Sequence, residues 1–342
     1  MTEDGAVPPR ERGWWGPILT LVLVWWLASE STTRLILPVI DLMLLLAPAC
    51  AGLAIIGWRS GGRLSLAVLW SLFAIWVVTQ GSRSDGAFGA FAVGWSVALG
   101  IGFTVILGMT PGQHFLSRAL RTLAVVGGVS GAALLGWRGG PSGVLTLVRT
   151  ESATRAAAAR AEWETVKSSP EFAQLPTDSE GGQWYVKLVE LGLETWPDVG
   201  LRFFPALLVL QSLLVLALAW SVYHRVGRER VGPPLSALRE FRFDESLVWG
   251  VVLGLLCLAV PLGEAVRVLG LNLLVVFGAL CALRGLGVMV WFLAPGRVMA
   301  VMLTLFTLLF WPYIMLAAAG LGLGDTWFDW RRSPRQQSQR SE

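Results

Sequence analysis

The residues that could do chemistry in this chain are the polar ones that interrupt its apolar runs. Glu264, Asn272 and Arg284 punctuate residues 241–332, and Asp325 and Asp329 close that stretch. Asp41 lies near the start of another apolar run, in PVIDLMLLLAP. An ionisable group is costly in a bilayer, so each marks a candidate site for an ion, a proton or a charged ligand. Arg284 keeps its proton and must find an acceptor, water or a path to the interface. Asp41, Glu264 or a backbone carbonyl could be that acceptor, and a structural pair and an anionic-ligand site both fit. Asn272, like Gln211, could bond between helices. Asp41 could equally be a helix-end carboxylate, and Glu264, after Pro261 and Gly263, reads as an outer-loop residue. Asp41, Asn272 and Arg284 are the candidate ligand-binding residues. Asp325 and Asp329, in LGLGDTWFDWRR, can pair with Arg331 or Arg332 as a structural anchor.

Other chemistries lack their parts. Cys50, Cys257 and Cys281 lie far apart inside apolar runs, and the two histidines, His114 and His224, are not their neighbours. That argues against a disulfide framework or a zinc site. The sequence holds no Gly-x-Ser-x-Gly elbow and no phosphate-binding Gly-x-x-x-x-Gly-Lys-Ser/Thr loop. The expectation is a protein without cofactor, metal or enzymatic activity, and with no ATPase of its own.

The elements that must position these residues are transmembrane helices. Of 342 residues, 54% are hydrophobic and only 15% charged, against about 25% charged in soluble domains. Many of the 18 Trp residues sit at run ends, where aromatic rings favour the headgroup level. About 20 apolar residues cross the hydrocarbon core as a helix. Candidate spans are 14–29, 35–57, 64–80, 87–109, 120–137, 201–222, 247–263, 270–294 and 297–320. The expected fold is an all-α, polytopic transmembrane bundle of eight or nine spans with amphipathic interfacial helices. Its regions are an N-terminal five-span bundle (1–137), an extracytoplasmic helical segment (138–200), a C-terminal membrane region (201–332) and a disordered tail (333–342).

Loop arginines set the orientation. With the N-terminus in the cytoplasm, the inner segments hold Arg10, Arg12, Arg59, Arg63, Arg118 and Arg121. They also hold Arg225, Arg228, Arg230, Arg239 and Arg242, whereas the opposing short loops hold Arg34, Arg83 and Arg267. The excess of arginine thus reports cytoplasmic loops rather than nucleic-acid binding. Nine spans would leave the C-terminus outside, yet Arg331, Arg332, Arg335 and Arg340 argue for inside. Either the tail violates the rule or one of the last three runs does not cross simply. The suspect is 270–294, interrupted by Arg284-Gly285-Leu286-Gly287, where a broken or re-entrant helix is expected.

Between the halves, TESATRAAAARAEWETVK should be helical by propensity. EFAQLPTDSEGG reads as a loop, and QWYVKLVELGLETW as an amphipathic helix on the outer surface. The stretch 224–246, HRVGRERVGPPLSALREFRFDES, reads as an elbow on anionic headgroups, with partner binding as the alternative.

Several of these features recur together: Pro205, Arg225-Val-Gly-Arg with Pro233-Pro234, Phe241-Arg242-Phe243, Asn272-Leu-Leu, Leu283-Arg284-Gly285-Leu286, and Gly324-Asp325 with Asp329-Trp330-Arg331. In this order they resemble the YybS-like family of bacterial polytopic membrane proteins, whose function is unknown. That family is similar in hydropathy to the substrate-binding subunits of energy-coupling-factor transporters. The resemblance implies a multi-pass protein of the inner membrane that binds a small molecule and borrows its energy from partners. The competing expectation is a membrane scaffold whose elbow and outer segment bind other membrane proteins.

Overall fold

A computed structural model describes residues 18–23, 26, 31–81, 86–136, 140–173, 179–294 and 296–331. Most of the run expected at 14–29 and the whole tail 333–342 lie outside the described residues. The all-α expectation holds: the long regular elements are all helices. The chain divides into two compact units between Leu235 and Ser236, within the stretch read as an elbow.

The first unit contains α1 (Leu42–Arg59), α2 (Leu64–Gly81), α3 (Ala87–Met109), α4 (Phe115–Gly136), α5 (Gly140–Lys167), α6 (Glu180–Arg202) and α7 (Phe204–Val226). Helix α1 is central and packs against α2, α3 and α7. Leu45 and Leu53 of α1 meet Leu99 and Phe103 of α3 and Leu216 and Trp220 of α7 in the core. Pro48 lies inside α1. Proline has no N–H, so the carbonyl of Leu44, four residues back, loses its helical donor. The Ser96 hydroxyl of α3 donates to that oxygen. A Cβ at Gly100 would come within 2.6 Å of the Pro48 Cβ, so only glycine lets α3 approach the proline this closely.

Helix α5 forms over the alanine-rich segment as propensity predicts, and α6 packs on it. Trp163, Ala156 and Ala159 of α5 meet Leu193 of α6 and Leu35 in a small separate core. Val186, Val189 and Trp196 of α6 lie against the same cluster. Trp184, Leu188 and Leu191, at helical spacing on α6, are exposed. The expected loop between the two helices begins with a helical turn, Pro170–Ala173, and α6 already starts at Glu180.

The second unit opens with 3-10 turns at Leu238–Glu240 and Glu245–Leu247. It continues as α8 (Val248–Ala259), α9 (Glu264–Leu293), α10 (Arg297–Leu309) and α11 (Trp311–Phe328). Helices α9 and α11 pack through small residues: a Cβ at Gly285 would overlap the Ala318 carbonyl, and one at Gly322 that of Cys281.

The described helices do not confirm eight or nine simple crossings. Among the described residues, five helices are long and apolar enough to span: α1, α2, α3, α7 and α9. A sixth results if the bent pair formed by α10 and α11 counts as one span. Helix α4 carries Arg118 and Arg121 and is not among the five, while α8, with 12 residues, is about 18 Å long, short of a hydrocarbon core of about 30 Å. The break expected at Arg284–Gly287 is absent, because α9 runs unbroken for 30 residues. Instead of ending the helix, Gly285 lets α11 pack closely and Gly287 lets the Leu238 carbonyl approach. The break lies in the next run, where the chain bends by 104° just before α11. Pro312 at the start of α11 makes this a helix start, where its missing N–H costs nothing.

The pairing of Ser96 with the gap left by Pro48 is testable. Ser96→Ala should cost about 1–2 kcal/mol in reversible unfolding in mild detergent. In a Pro48→Ala background, where an N–H returns to Leu44, the same change should cost almost nothing. Equal costs in both backgrounds would show that the hydroxyl does not serve this carbonyl.

Candidate functional site

A cleft of about 870 Å³ opens in the first unit between the start of α1, the end of α2, the start of α3 and the first half of α5. Asp41, Thr146, Thr150, Glu151 and Arg155 supply most of its polar wall, and Leu44, Phe88 and Leu147 its apolar wall. Asp41 is the N-cap of α1 and accepts a hydrogen bond from the Met43 N–H at 2.9 Å. A carboxylate suits that place, where unpaired amides and the helix dipole leave partial positive charge.

Arg155 builds the floor. Its Nε meets Glu151 Oε1 at 2.7 Å, one helical turn back. Its Nη1 donates to the carbonyls of Arg34 and Leu37 at 3.2 and 2.6 Å, and Nη2 to that of Pro38 at 3.3 Å. The guanidinium also lies 5.0 Å from the Phe88 ring centroid. One side chain thus ties the irregular segment before α1 to α5. Beside it, Gln211 of α7 accepts from the Val39 N–H at 3.0 Å and donates to the Val39 carbonyl.

The second unit holds a buried charge cluster. Asp325 is fully buried, and its Oδ2 accepts from Arg284 Nε at 2.8 Å and from Arg331 Nη2 at 2.7 Å. Arg284 Nη2 donates to the Asp325 carbonyl at 2.8 Å. Further donors of the two guanidinium groups turn to an irregular strand of chain, while Arg331 Nε is buried without a hydrogen-bond partner among the described residues. Arg331 reaches the carbonyls of Arg239 (2.9 Å) and Phe241 (3.1 Å), and Arg284 that of Phe243 (3.4 Å). Arg239 lies in the 3-10 turn, and beyond it the chain is extended; successive carbonyls there point to opposite sides, so those of Phe241 and Phe243 face the same side, toward Arg331 and Arg284. Arg284 also lies 5.1 Å from the Phe243 ring centroid. At the rim, Arg242 and Asp329 meet at 3.0 Å. Asp244 caps the following 3-10 turn, and hydrogen bonds from Ser246 hold its carboxyl below the usual carboxylate range.

The residues singled out in the sequence therefore do not form one site. Asp41 belongs to the first unit and lines the cleft. Asn272 and Arg284 belong to α9 of the second, about 18 Å apart along the helix. Asn272 donates to the Val268 carbonyl of its own helix at 2.8 Å. The acceptor that Arg284 requires is Asp325, with the Phe243 carbonyl, and not Asp41 or Glu264. A second cavity, of about 450 Å³, has an apolar lining from Leu286 of α9 through Phe306 of α10 to Ile314 of α11.

The arginines of the elbow have separate fates. Arg225 donates to the Ser221 carbonyl at 2.8 Å, whereas Arg228 and Arg230 are exposed. The backbone beside them is held from the first unit. Tyr223 donates to the Glu229 carbonyl (3.1 Å), Arg118 to Val231 (3.0 Å) and Trp220 to Pro233 (3.2 Å). His224 Nε2 lies 3.0 Å from the Gly232 carbonyl. Arg118, assigned by the sequence to a short loop, is fully buried under Trp220. Nothing in its surroundings in the sequence distinguishes it from Arg121. Arg155 did leave a signal, because Glu151 stands four residues before it on a helix.

Residues 181–326 match the family described as Predicted membrane protein (DUF2232). The chain is a multi-pass membrane protein. The match runs from α6 into α11 and takes in Asn272, Arg284 and Asp325, ending before Asp329 and Arg331. No curated protein and no solved structure matches the chain.

Buried and rim charges should differ in weight. Asp325→Ala leaves two buried guanidinium groups without a counter-charge and should lower stability by about 3–5 kcal/mol. Arg242→Gln removes an exposed partner and should cost less than about 1 kcal/mol. Unfolding in mild detergent measures both, and comparable losses would refute the central place given to Asp325.

Proposed function

We propose that this protein is a non-enzymatic membrane component that binds a small molecule in the cleft of its first unit and takes part in its transport. The cleft carries the reading. Its volume, about 870 Å³, falls within the range of about 300–1,000 Å³ typical of ligand sites. It combines an apolar wall with a few fixed polar groups, the usual composition of such a site. The resemblance to the YybS-like family, and through it to vitamin-binding transporter subunits, supports the same reading. Energy for transport would come from a partner.

Orientation gives the cleft a side. In the orientation set by the arginines, the lining residues come from the outer ends of the runs 35–57, 64–80 and 87–109, from the outer loop between the last two, and from the outer segment 138–200. The ligand would enter from the extracytoplasmic face of the inner membrane, with the N-terminus in the cytoplasm. The strand 239–243, read as cytoplasmic, is bonded to Arg331 beyond the end of α11. The C-terminus would then lie in the cytoplasm too, in keeping with the tail arginines. A scaffold role draws on the exposed Trp184, Leu188 and Leu191 of α6.

Two measurements test this. In a thermal-shift screen of water-soluble metabolites against the purified protein, stabilising compounds are expected. Their effect should vanish in Thr150→Trp, which fills the cleft, and persist in Arg284→Gln. Hits unaffected by Thr150→Trp would refute the cleft as the site, and an empty screen would favour the scaffold. For topology, a C-terminal green fluorescent protein fusion should fluoresce and an alkaline phosphatase fusion should be inactive; the opposite pattern would overturn the orientation.

A further inference from the structure

The cleft's polar groups are mostly hydrogen-bond acceptors, and that restricts what it can hold. Thr146, Thr150 and Thr154 stand one turn apart along α5. Each hydroxyl gives its proton to the carbonyl four residues back, at 2.9, 2.9 and 3.0 Å. Only acceptor lone pairs remain on those oxygens. Four of the five N–H bonds of Arg155 are already committed, to Glu151 and to the carbonyls of Arg34, Leu37 and Pro38. Its charge is matched by Glu151, so it is poorly placed to receive an anion. Asp41 has no cationic partner among the described residues, and its side chain accepts one hydrogen bond, from the Met43 N–H. A carboxylate can accept about four.

Among the lining residues, two carboxylates therefore face one guanidinium, a net charge of −1. Helix ends add partial charges of both signs: the N-termini of α1, which Asp41 caps, of α3, which Gly86 caps without a side-chain bond, and of α5 border the cleft, as does the C-terminus of α2. Such partial charges fall off within a turn and are screened in an open cleft, so they weaken the pull of the Asp41 carboxylate and the threonine oxygens on a donor without removing it. We infer that the cleft takes a small amphiphilic molecule bearing a cationic amine. Its ammonium N–H groups would meet Asp41 and the threonine oxygens, and its apolar body Leu44, Phe88 and Leu147. The inference rests on the cleft being the ligand site.

Four probes of the same shape separate the chemistries: tryptamine (cation), indole-3-acetate (anion), tryptophol (neutral) and tryptophan (zwitterion). Isothermal titration of the full-length protein in one detergent, alongside Asp41→Asn, gives the comparison. Asparagine caps a helix about as well as aspartate, so this variant removes the charge and keeps the cap. Tryptamine should bind more tightly than the other three and lose about tenfold in affinity in Asp41→Asn. Partition into detergent is the same for both proteins and cancels. Equal binding of tryptophol, tighter binding of indole-3-acetate or tryptophan, an unchanged tryptamine affinity in the variant, or no binding by any probe would each overturn the inference. Binding lost in Thr150→Trp but indifferent to probe charge would leave the cleft as the ligand site and remove only the class.

Discussion

A carbonyl oxygen that no helix can use must be given a donor from elsewhere when water is excluded. That constraint shapes this molecule at several places where its helices stop or are interrupted. Pro48 leaves the Leu44 carbonyl open and Ser96 fills the place. The chain before α1 is irregular, and Arg155 and Gln211 hold its carbonyls at residues 34, 37, 38 and 39. After α7, side chains of α4 and α7 take the carbonyls of 229, 231 and 233. In the second unit Arg284 and Arg331 take those of 239, 241 and 243. Arginine recurs because one planar guanidinium offers five donors in a fixed fork and can hold several carbonyls at once.

Using arginine this way brings charge into the interior. Arg155 is balanced within its own helix by Glu151. Arg284 and Arg331 share Asp325, so the cluster keeps a net charge of +1 and relies on carbonyl dipoles and the Phe243 ring for the remainder. Arg118 has carbonyls and the face of Trp220 as its partners. Each arrangement is costly to break from one side only, because the partner is left buried and unpaired. Together they fix irregular segments that would otherwise need water.

The fold class was legible because hydropathy is a one-dimensional signal: the runs at 64–80 and 87–109 correspond closely to α2 and α3. The helical character of α5 followed from its alanines. What composition could not show was which interruption breaks a helix. Gly285 and Gly287 read as a break, yet in α9 they are the surface that lets neighbouring backbone approach. The bend falls instead before Pro312, where the sequence shows continuous apolar residues. The costly polar residues were legible as a set, but their partners were not. Arg284 and Asp325 are 41 residues apart, and only tertiary packing brings them together. The cleft was hidden for the same reason: Asp41 was visible, but Glu151 and Arg155 lie in a segment that reads simply as a solvated helix.

The cleft and the charge cluster thus rest on one device, side-chain donors that hold irregular backbone to the ends of helices. Where Arg155 does this it leaves a cleft; where Arg284 and Arg331 do it they seal a strand against the bundle. Hydrogen–deuterium exchange of residues 236–247, compared between the wild type and Asp325→Asn, tests the device most directly. The account predicts slow exchange in the wild type and a marked acceleration in the variant, confined to this strand and the end of α11. Fast exchange already in the wild type, or no difference between the two, would contradict it.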